Sequence, residues 1–228
     1  MCALRRAPAL WRRNPFSWEY VVLSRSRTPG TTSIAAKPWR LDRHGWLQAA
    51  PGLRLAPSPN VDERPPGTAV SLLVIHNISL PPGQFGGPYI EDLFTNCLDC
   101  TAHPWFERLR GLRVCAHFLV TREGEVIQFA STHARAWHAG VSTFAGRERC
   151  NDFSIGIELE GTDHDAFMDA QYDALAHLTR ALNTHHTFTA VRGHEHIAPG
   201  RKTDPGPAFD WQRYRAICGW SARQLPPL

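Results

Sequence analysis

The feature that most constrains this chain is a continuous apolar run that ends in a histidine. Residues 70–75 read VSLLVI, and His76 follows directly. A short apolar run of this kind is typical of a strand buried in the core. The imidazole of His76 is therefore held at a rigid edge, where loops begin. A lone histidine in that position is more often structural than functional, so a function requires partners from elsewhere in the chain.

The remaining periodicity predicts further strands and helices. A hairpin is expected where residues 118–120 and 126–129 flank a turn at residues 123–124. Residues 153–159 alternate apolar and polar side chains, as a strand with two unlike faces does. The clearest helix covers residues 169–184, whose apolar side chains recur at helical spacing. Shorter elements are expected at residues 89–94 (helix), 187–191 (strand) and 211–217 (helix). These elements permit an α+β fold, with a mixed sheet flanked by helices.

The basic character of the chain is confined to its N-terminal arm. Residues 1–45 contain nine lysine or arginine residues and two acidic ones, a charge of +7, whereas the remainder has 16 basic and 19 acidic residues, a charge of −3. A nucleic-acid-binding core would carry the basic excess itself, so nucleic acid is not an expected partner. We expect residues 1–44 to be a disordered, non-catalytic extension and residues 45–228 to form the functional domain. An arm rich in arginine and serine also suits an organellar transit peptide or a basic tail.

Neither a membrane span nor a signal-peptide core is found in the sequence. A bilayer is crossed by about 18 to 20 apolar residues, and Arg12 and Arg13 end the apolar run of residues 7–11. We therefore expect no membrane partner and no export, and reduced thiols for the six cysteines. Cys97 and Cys100 have no second pair, so small buried side chains are expected there rather than a metal or redox site.

One carboxylate lies inside a strand that is otherwise built for burial. Glu158 falls within the sequence IGIELE at residues 155–160. A carboxylate in apolar surroundings has a raised pKa, which suits a general base near neutral pH. The alternative is that Glu158 lies on the exposed face of a half-buried strand, and the pattern alone does not choose between the two.

Two further histidines and an aspartate lie near the C-terminal end of the chain. His194 and His196 follow a strand candidate, and Asp204 comes ten residues after His194. Two histidines and one aspartate, delivered by separate loops, make a three-ligand zinc site with a fourth position left for water. The spacing alone is only suggestive, and it leaves both His194 and His196 open as the ligand.

Several segments closely resemble one known family. They are residues 74–83 (VIHNISLPPG), 136–142 (AWHAGVS), 146–162 (GRERCNDFSIGIELEGT), 193–194 (GH), 197–199 (IAP) and 201–207 (RKTDPGP). These segments are similar to those of the AmpD-type 1,6-anhydro-N-acetylmuramyl-L-alanine amidases, within the wider fold shared with peptidoglycan recognition proteins and phage amidase lysozymes. The resemblance covers about residues 45–217 and does not extend to the arm. It implies the peptidoglycan-recognition-protein-like α+β fold, with zinc in a cleft at the edge of the sheet.

The resemblance also implies roles for the candidate residues. One Zn²⁺ per chain would be held by His76, His194 and Asp204, and the match favours His194 over His196 because the family ligand directly follows the glycine. Glu158 would take a proton from the attacking water, and Lys202 would stabilise the developing oxyanion. These roles agree with the chemistry of amide hydrolysis, which needs a Lewis acid, a positioned base and a cation near the oxygen.

Weaker candidates for substrate binding are Asn77, Arg113, Trp137 and Arg149. Arginine suits the carboxylates of a stem peptide, and tryptophan suits the face of a sugar. The alternative for all four is local packing. His138 either lines the cleft or braces its loop.

The resulting hypothesis is a monomeric, cytoplasmic enzyme of peptidoglycan recycling. It would cut the amide bond between the lactyl group of (1,6-anhydro)-N-acetylmuramic acid and L-alanine, with an anhydromuramyl-peptide as substrate. A second hypothesis is a module that binds muropeptides without cutting them, although no ligand of the proposed site is missing here. A third is a lytic amidase that acts on the intact wall outside the cytoplasm.

Overall fold

The folded part of the chain consists of short strands and helices around one mixed sheet. The computed structural model describes residues 38–227 of the 228. Its strands are β1 (Leu53–Leu55), β2 (Val61–Asp62), β3 (Leu72–Ile78), β4 (Phe118–Val120), β5 (Val126–Gln128), β6 (Arg135–Ala136), β7 (Thr143–Phe144), β8 (Arg147–Glu148), β9 (Ser154–Glu160) and β10 (Ala190–Gly193). Its helices are α1 (Tyr89–Phe94), α2 (Asp169–Asn183), α3 (His194–Ile197) and α4 (Trp211–Cys218), with 3-10 turns at Pro104–Leu109 and Cys150–Asp152.

The main sheet has six strands in the order β1-β5-β4-β9-β3-β10. Neighbouring strands run parallel, except that β4 and β5 form the antiparallel hairpin. The longest strands, β3 and β9, lie side by side at the centre with Ile75 opposite Ile157. The predicted α+β fold with a mixed sheet is therefore confirmed.

The alternation of side chains along β3 and β9 gives the sheet two unlike faces. One face packs against α2 and α4 in a core that contains Leu73, Ile75, Ile155, Ile157, Leu175, Leu178 and Tyr214. The two-residue period places His76 and Glu158 on the opposite face, away from this core. The apolar sequence thus stabilises the sheet from one side and leaves the other side of the same strands for polar groups.

The opposite face is only partly covered. Part of it packs under α1 and the Pro104–Leu109 turn, in a second core that contains Ile90, Phe94, Phe106, Leu119, Ile127 and Phe129. A cleft of about 600 Å³ lies between this cover and the C-terminal ends of the central strands, because Phe94 and Leu109 line it together with Glu158 and His194.

Most elements match the sequence predictions within one or two residues. The helices α1, α2 and α4 and the β4–β5 hairpin lie where they are expected. The strand expected at residues 187–191 is displaced to β10, because pairing begins with Ala190 opposite Leu72. Before that point, the backbone N–H and the hydroxyl of Thr189 both donate to the carbonyl of Ser71 instead of forming a ladder.

The folded unit begins before the boundary expected from the sequence. Leu41 and Leu47 form a bridge and are buried in the α2-side core. The side chain of Gln128 joins this segment to the sheet, since it accepts from Leu47 N and donates to Gly45 O. The compact unit therefore starts at Pro38, and the rest of the predicted extension, residues 1–37, lies outside the described residues.

Five of the six cysteines lie in the part of the chain that the structure describes. Cys100, Cys115, Cys150 and Cys218 are free thiols, as expected. Cys97 is disulfide-bonded, so the prediction of a reduced thiol is wrong at that position, and Cys2 lies outside the described residues. Cys97 and Cys100 are half-buried rather than buried. Among the helices of residues 38–227, none has the length and apolar character needed to span a membrane.

Candidate active site

The parallel pairing of β3 with β10 brings two histidines together. Gly193 lies opposite Ile75, so the residues that follow, His194 and His76, leave the same edge of the sheet side by side. His194 begins the short helix α3, and Asp204 reaches the same point from the loop after that helix. Both imidazoles are almost fully buried, whereas the Asp204 side chain is 14% exposed. Three residues that are distant in sequence therefore meet at one rigid edge.

The three side chains form a tight triangle. His76 Nδ1 lies 3.0 Å from His194 Nδ1 and 3.0 Å from Asp204 Oδ2, and His194 Nδ1 lies 3.1 Å from the same oxygen. In a tetrahedral zinc site, bonds of about 2.0–2.1 Å place ligand atoms about 3.3 Å apart. The triangle is only slightly smaller, and its two nitrogens and one carboxylate oxygen are a donor set that suits a transition metal. These residues therefore fit a metal ion.

The outer ring nitrogens of both histidines are also engaged. His194 Nε2 lies 3.0 Å from the carbonyl oxygen of Ala139, and His76 Nε2 lies 2.9 Å from His138 Nδ1. An Nε2–H group that donates outward leaves the Nδ1 lone pair directed at the centre of the triangle. Burial, with a smaller contribution from the neighbouring His194, lowers the pKa of His76 to about 4, so this ring is neutral at pH 7. Both rings are thus arranged as ligands.

Asp204 is held in its charged form. Burial alone would raise its pKa, but the contacts of Oδ2 with the rings of His194 and His76 outweigh that effect and hold the pKa well below the usual value. The triangle therefore presents one anionic oxygen beside two imidazole nitrogens.

Glu158 lies beside the triangle on the neighbouring strand. It pairs in register with His76, and the two-residue period directs both side chains to the same face. The Oε2 atom of Glu158 is buried and has no hydrogen-bond partner among residues 38–227. Burial, reinforced by the charge of Asp204, raises the pKa of Glu158 well above its usual value, and Lys202 opposes that shift. A poorly solvated carboxylate with a free oxygen is suited to take up a proton.

The other candidates fall into two groups. Lys202, Arg113 and Trp137 line the cleft together with His194 and Asp204 of the triangle, and Lys202 and Arg113 are exposed to solvent. Arg149 is not part of that lining; it is exposed, and it lies 3.5 Å from Asp152. The structure therefore brings three of these four side chains to the cleft.

Asn77 has a structural set of contacts. Its amide nitrogen donates to Asp163 Oδ1 at 2.7 Å and to the carbonyl oxygen of Pro205 at 3.0 Å. Both amide protons are therefore used to join the loop after β9 to the loop that carries Asp204. Asn77 also lines the cleft, but these bonds leave only its amide oxygen for a ligand.

His196, the alternative ligand, lies outside the triangle. Its Nδ1 accepts from the backbone N–H of Gly193 at 3.0 Å, and its ring packs edge-on against Trp211. These contacts direct the imidazole toward α4 rather than toward His76.

Sequence reasoning missed two side chains that shape the site. Asn151 Oδ1 accepts from two backbone N–H groups in the segment that contains His138, and Arg201 donates to the carbonyl oxygens of Ala139 and Val141. Both residues lie inside the family-like segments, but nothing in their local pattern distinguishes them from surface polar residues. Their partners are set by the tertiary fold.

Comparison with known proteins confirms the resemblance. The sequence profile described as N-acetylmuramoyl-L-alanine amidase matches residues 66–207. The 1,6-anhydro-N-acetylmuramyl-L-alanine amidase AmpD of Salmonella typhimurium strain SL1344 is 57% identical over 182 residues, which cover 79% of this chain and 96% of that protein. The AmpD of Escherichia coli K12 is 58% identical over 175 residues, which cover 76% of this chain and 94% of that protein.

Solved structures agree with these sequence matches. A crystal structure of a selenomethionine derivative of AmpD has a TM-score of 0.74 at 56% identity and covers 78% of this chain and 98% of that one. A human peptidoglycan recognition protein crystallised with a muramyl pentapeptide has a TM-score of 0.52 at 17% identity, over 78% of this chain and 99% of that one, and shares the fold alone. Because the profile spans more than half of the chain and the AmpD matches cover more than two thirds of it, the chain belongs to the N-acetylmuramoyl-L-alanine amidase family.

Proposed function

We propose that this protein hydrolyses the amide bond between the lactyl group of 1,6-anhydro-N-acetylmuramic acid and the L-alanine of the stem peptide. The observation that carries the proposal is the Glu158 carboxylate beside the His76, His194 and Asp204 triangle, whose buried Oε2 atom has no hydrogen-bond partner among the described residues. The names of relatives that are 57% and 58% identical support this substrate class. A binding-only module would have no use for an unpaired buried carboxylate, which costs stability.

The triangle is proposed to hold one Zn²⁺. When bound, Zn²⁺ supplies Lewis-acid chemistry, since it polarises a carbonyl group and lowers the pKa of water to about 7. His76 and His194 would contribute neutral Nδ1 atoms, and Asp204 would contribute Oδ2 and one negative charge. Three protein ligands leave a further position open toward the cleft, which is the arrangement of catalytic rather than structural zinc sites.

Glu158 and Lys202 are proposed to handle the proton and the charge. Glu158 Oε2 accepts a proton from the attacking water as the new C–O bond forms at the amide carbon. The same carboxyl group then gives that proton to the leaving nitrogen of L-alanine as the C–N bond breaks, so the side chain returns to its starting state. The Lys202 ammonium group, on the wall of the same cleft, compensates the negative charge that develops on the carbonyl oxygen.

The test is the release of free tripeptide from an anhydromuramyl-tripeptide, followed by chromatography and mass spectrometry. We expect turnover by the metal-loaded protein, loss of activity after dialysis against a chelator, and recovery when one equivalent of Zn²⁺ is returned. Equal release by the stripped protein would contradict the mechanism. Binding of the intact substrate without release, in the metal-loaded protein, would favour the binding module.

Replacement of Lys202 should separate catalysis from metal binding. In Lys202→Met the stem has similar length but no charge, so we expect kcat to fall by about 10²–10³ while the zinc content is unchanged. Lys202→Arg keeps the charge and should retain more activity than the methionine variant. Equal activity of Lys202→Met and the wild type in steady-state assays would remove Lys202 from the mechanism.

The remaining parts of the proposal concern substrate binding, oligomeric state and cellular compartment. Three side chains of the cleft wall and one beside it are proposed to contact the peptide and the sugar: Asn77, Arg113 and Trp137 from the wall, and Arg149 from its surroundings. The enzyme is proposed to be a monomer that acts in the cytoplasm on anhydromuramyl-peptides returned from the wall. Light scattering and fractionation of the tagged full-length protein test these two points, and a dimer or an exported protein would contradict them.

A further inference from the structure

The outer nitrogens of both ligand histidines are held by two consecutive residues. His138 meets His76 through its side chain, and Ala139 meets His194 through its carbonyl oxygen, at 2.9 and 3.0 Å. His76 and His194 are 118 residues apart in sequence, yet one dipeptide contacts both. The orientation of both ligand rings therefore depends on where this dipeptide lies.

The His138 ring packs against the sheet at Gly156, where the absence of a side chain leaves room for it. A Cβ atom at Gly156 would lie 2.5 Å from the His138 ring, so only glycine at that point of β9 admits the imidazole. His138 Nε2 lies 3.1 Å from Ser154 Oγ. With the Nε2–H of His138 donated to that hydroxyl, His138 Nδ1 is the acceptor that His76 Nε2–H requires.

The backbone of the dipeptide is fixed by one side chain. Asn151 Oδ1 accepts from the backbone N–H of His138 at 3.2 Å and from that of Ala139 at 2.8 Å. Asn151 lies in the Cys150–Asp152 turn, immediately before β9, so this bond connects the dipeptide to the central sheet. Arg201 adds a second support, since it donates to the Ala139 carbonyl at 2.7 Å.

We propose that Asn151 is a positioning residue for the metal centre. By fixing the backbone of residues 138–139, its amide oxygen places one acceptor against each ligand histidine and so selects the Nε2–H tautomer of both rings. In the described part of the chain the Asn151 side chain bonds to the backbone of His138 and Ala139 and not to His76 or His194, so its effect passes through these two residues. The inference rests on the proposed function, because it assumes that the triangle binds Zn²⁺.

The experiment compares Asn151→Ala with Asn151→Asp. Aspartate keeps an oxygen acceptor at the same place, whereas alanine removes it. We expect the zinc dissociation constant of Asn151→Ala, measured by competition with a chromophoric chelator, to rise by about 10- to 100-fold, and that of Asn151→Asp to stay near the wild-type value. The ring-nitrogen NMR signals of the metal-free protein should show mixed tautomers of His194 in the alanine variant only.

A matched control separates positioning from general stability. The Gln128 side chain is fully buried and, like that of Asn151, accepts a backbone N–H, but its contacts lie in the segment of residues 45–47 and at Ala130. Gln128→Ala should lower the melting temperature without changing zinc affinity. If Asn151→Ala fails to fold, His138→Ala provides the second variant, since it removes the acceptor for His76, leaves the Ala139 carbonyl that faces His194, and should weaken zinc binding about tenfold.

The outcomes distinguish the inference from the proposed function. Wild-type zinc affinity and tautomers in folded Asn151→Ala, or wild-type zinc affinity in His138→Ala, would overturn the positioning role while leaving the amidase intact. A wild-type protein that binds no zinc would instead overturn the proposed metal site. A loss of affinity in Gln128→Ala equal to that in Asn151→Ala would reduce Asn151 to a residue of general stability.

Discussion

Glu158→Gln is expected to lower kcat by about 10²–10⁴ without loss of the metal. Glutamine has nearly the same shape as glutamate, but its amide group cannot accept and return a proton near neutral pH. Within the described residues Glu158 has no hydrogen-bond partner at Oε2, so the substitution breaks no hydrogen bond of that atom. The loss should therefore fall on kcat, as measured with the anhydromuramyl-tripeptide, and zinc content should remain at one per chain.

The melting temperature of Glu158→Gln provides a control for its folding. Burial raises the pKa of Glu158 well above the model-peptide value of 4.5. As pH rises above about 4.5, the unfolded chain releases this proton while the folded metal-free protein retains it, so the contribution of Glu158 to stability falls with rising pH. Glutamine does not ionise, so metal-free Glu158→Gln should melt at a higher temperature than the wild type at pH 7 and show no such gain near pH 4. Full activity would rule out Glu158 as the base.

Asp204→Asn is expected to remove both the metal and the activity. Asparagine keeps the shape of the side chain but takes away the only negative charge of the triangle, which offsets the charge of a divalent cation. Because a ligand is changed directly, the loss of zinc affinity should exceed the roughly 10- to 100-fold effect typical of residues behind the ligands. Titration calorimetry with Zn²⁺ and the tripeptide-release assay measure the two effects.

His196→Ala is the matched control for that substitution. His196 lies two residues from His194, but its ring bonds to Gly193 and packs against Trp211. We expect the zinc affinity of the His196→Ala variant to stay at the wild-type level. A variant His196→Ala that lost the metal while Asp204→Asn kept it would show that the ligand set is assigned wrongly.

The elements around the site could be predicted because their signals are local. The apolar runs that became β3 and β9 and the periodic helix α2 are visible in a window of a few residues. The two readings of Glu158 could not be separated in the same way, because the pattern of one strand does not show which neighbour covers each face. Only the pairing of β9 with β3 places this carboxylate beside His76.

Contacts between distant segments account for what could not be predicted. The amide nitrogen of Asn77 donates to a carboxylate 86 residues away, a contact that its own segment does not indicate. The segment that contains Leu47 was expected to adjoin a disordered arm, yet Gln128, 81 residues further along, holds it on the sheet. Polar side chains of this kind have no periodic signature, since their partners are chosen by the tertiary fold.

The pairing of His76 with Glu158 makes the register of the central strands a condition for activity. In a sheet, a slip of one residue turns every side chain of the moved strand to the other face. A slip of β9 against β3 would drive Glu158 into the apolar core against α2 and leave Ile157 or Leu159 beside the metal ligands. The aliphatic side chains packed under the sheet therefore help to align the catalytic centre. A misaligned strand would lose its core contacts, and Glu158 would no longer lie beside the metal ligands. Turnover therefore depends on the correct alignment of β3 and β9, although most residues of these two strands do not line the cleft.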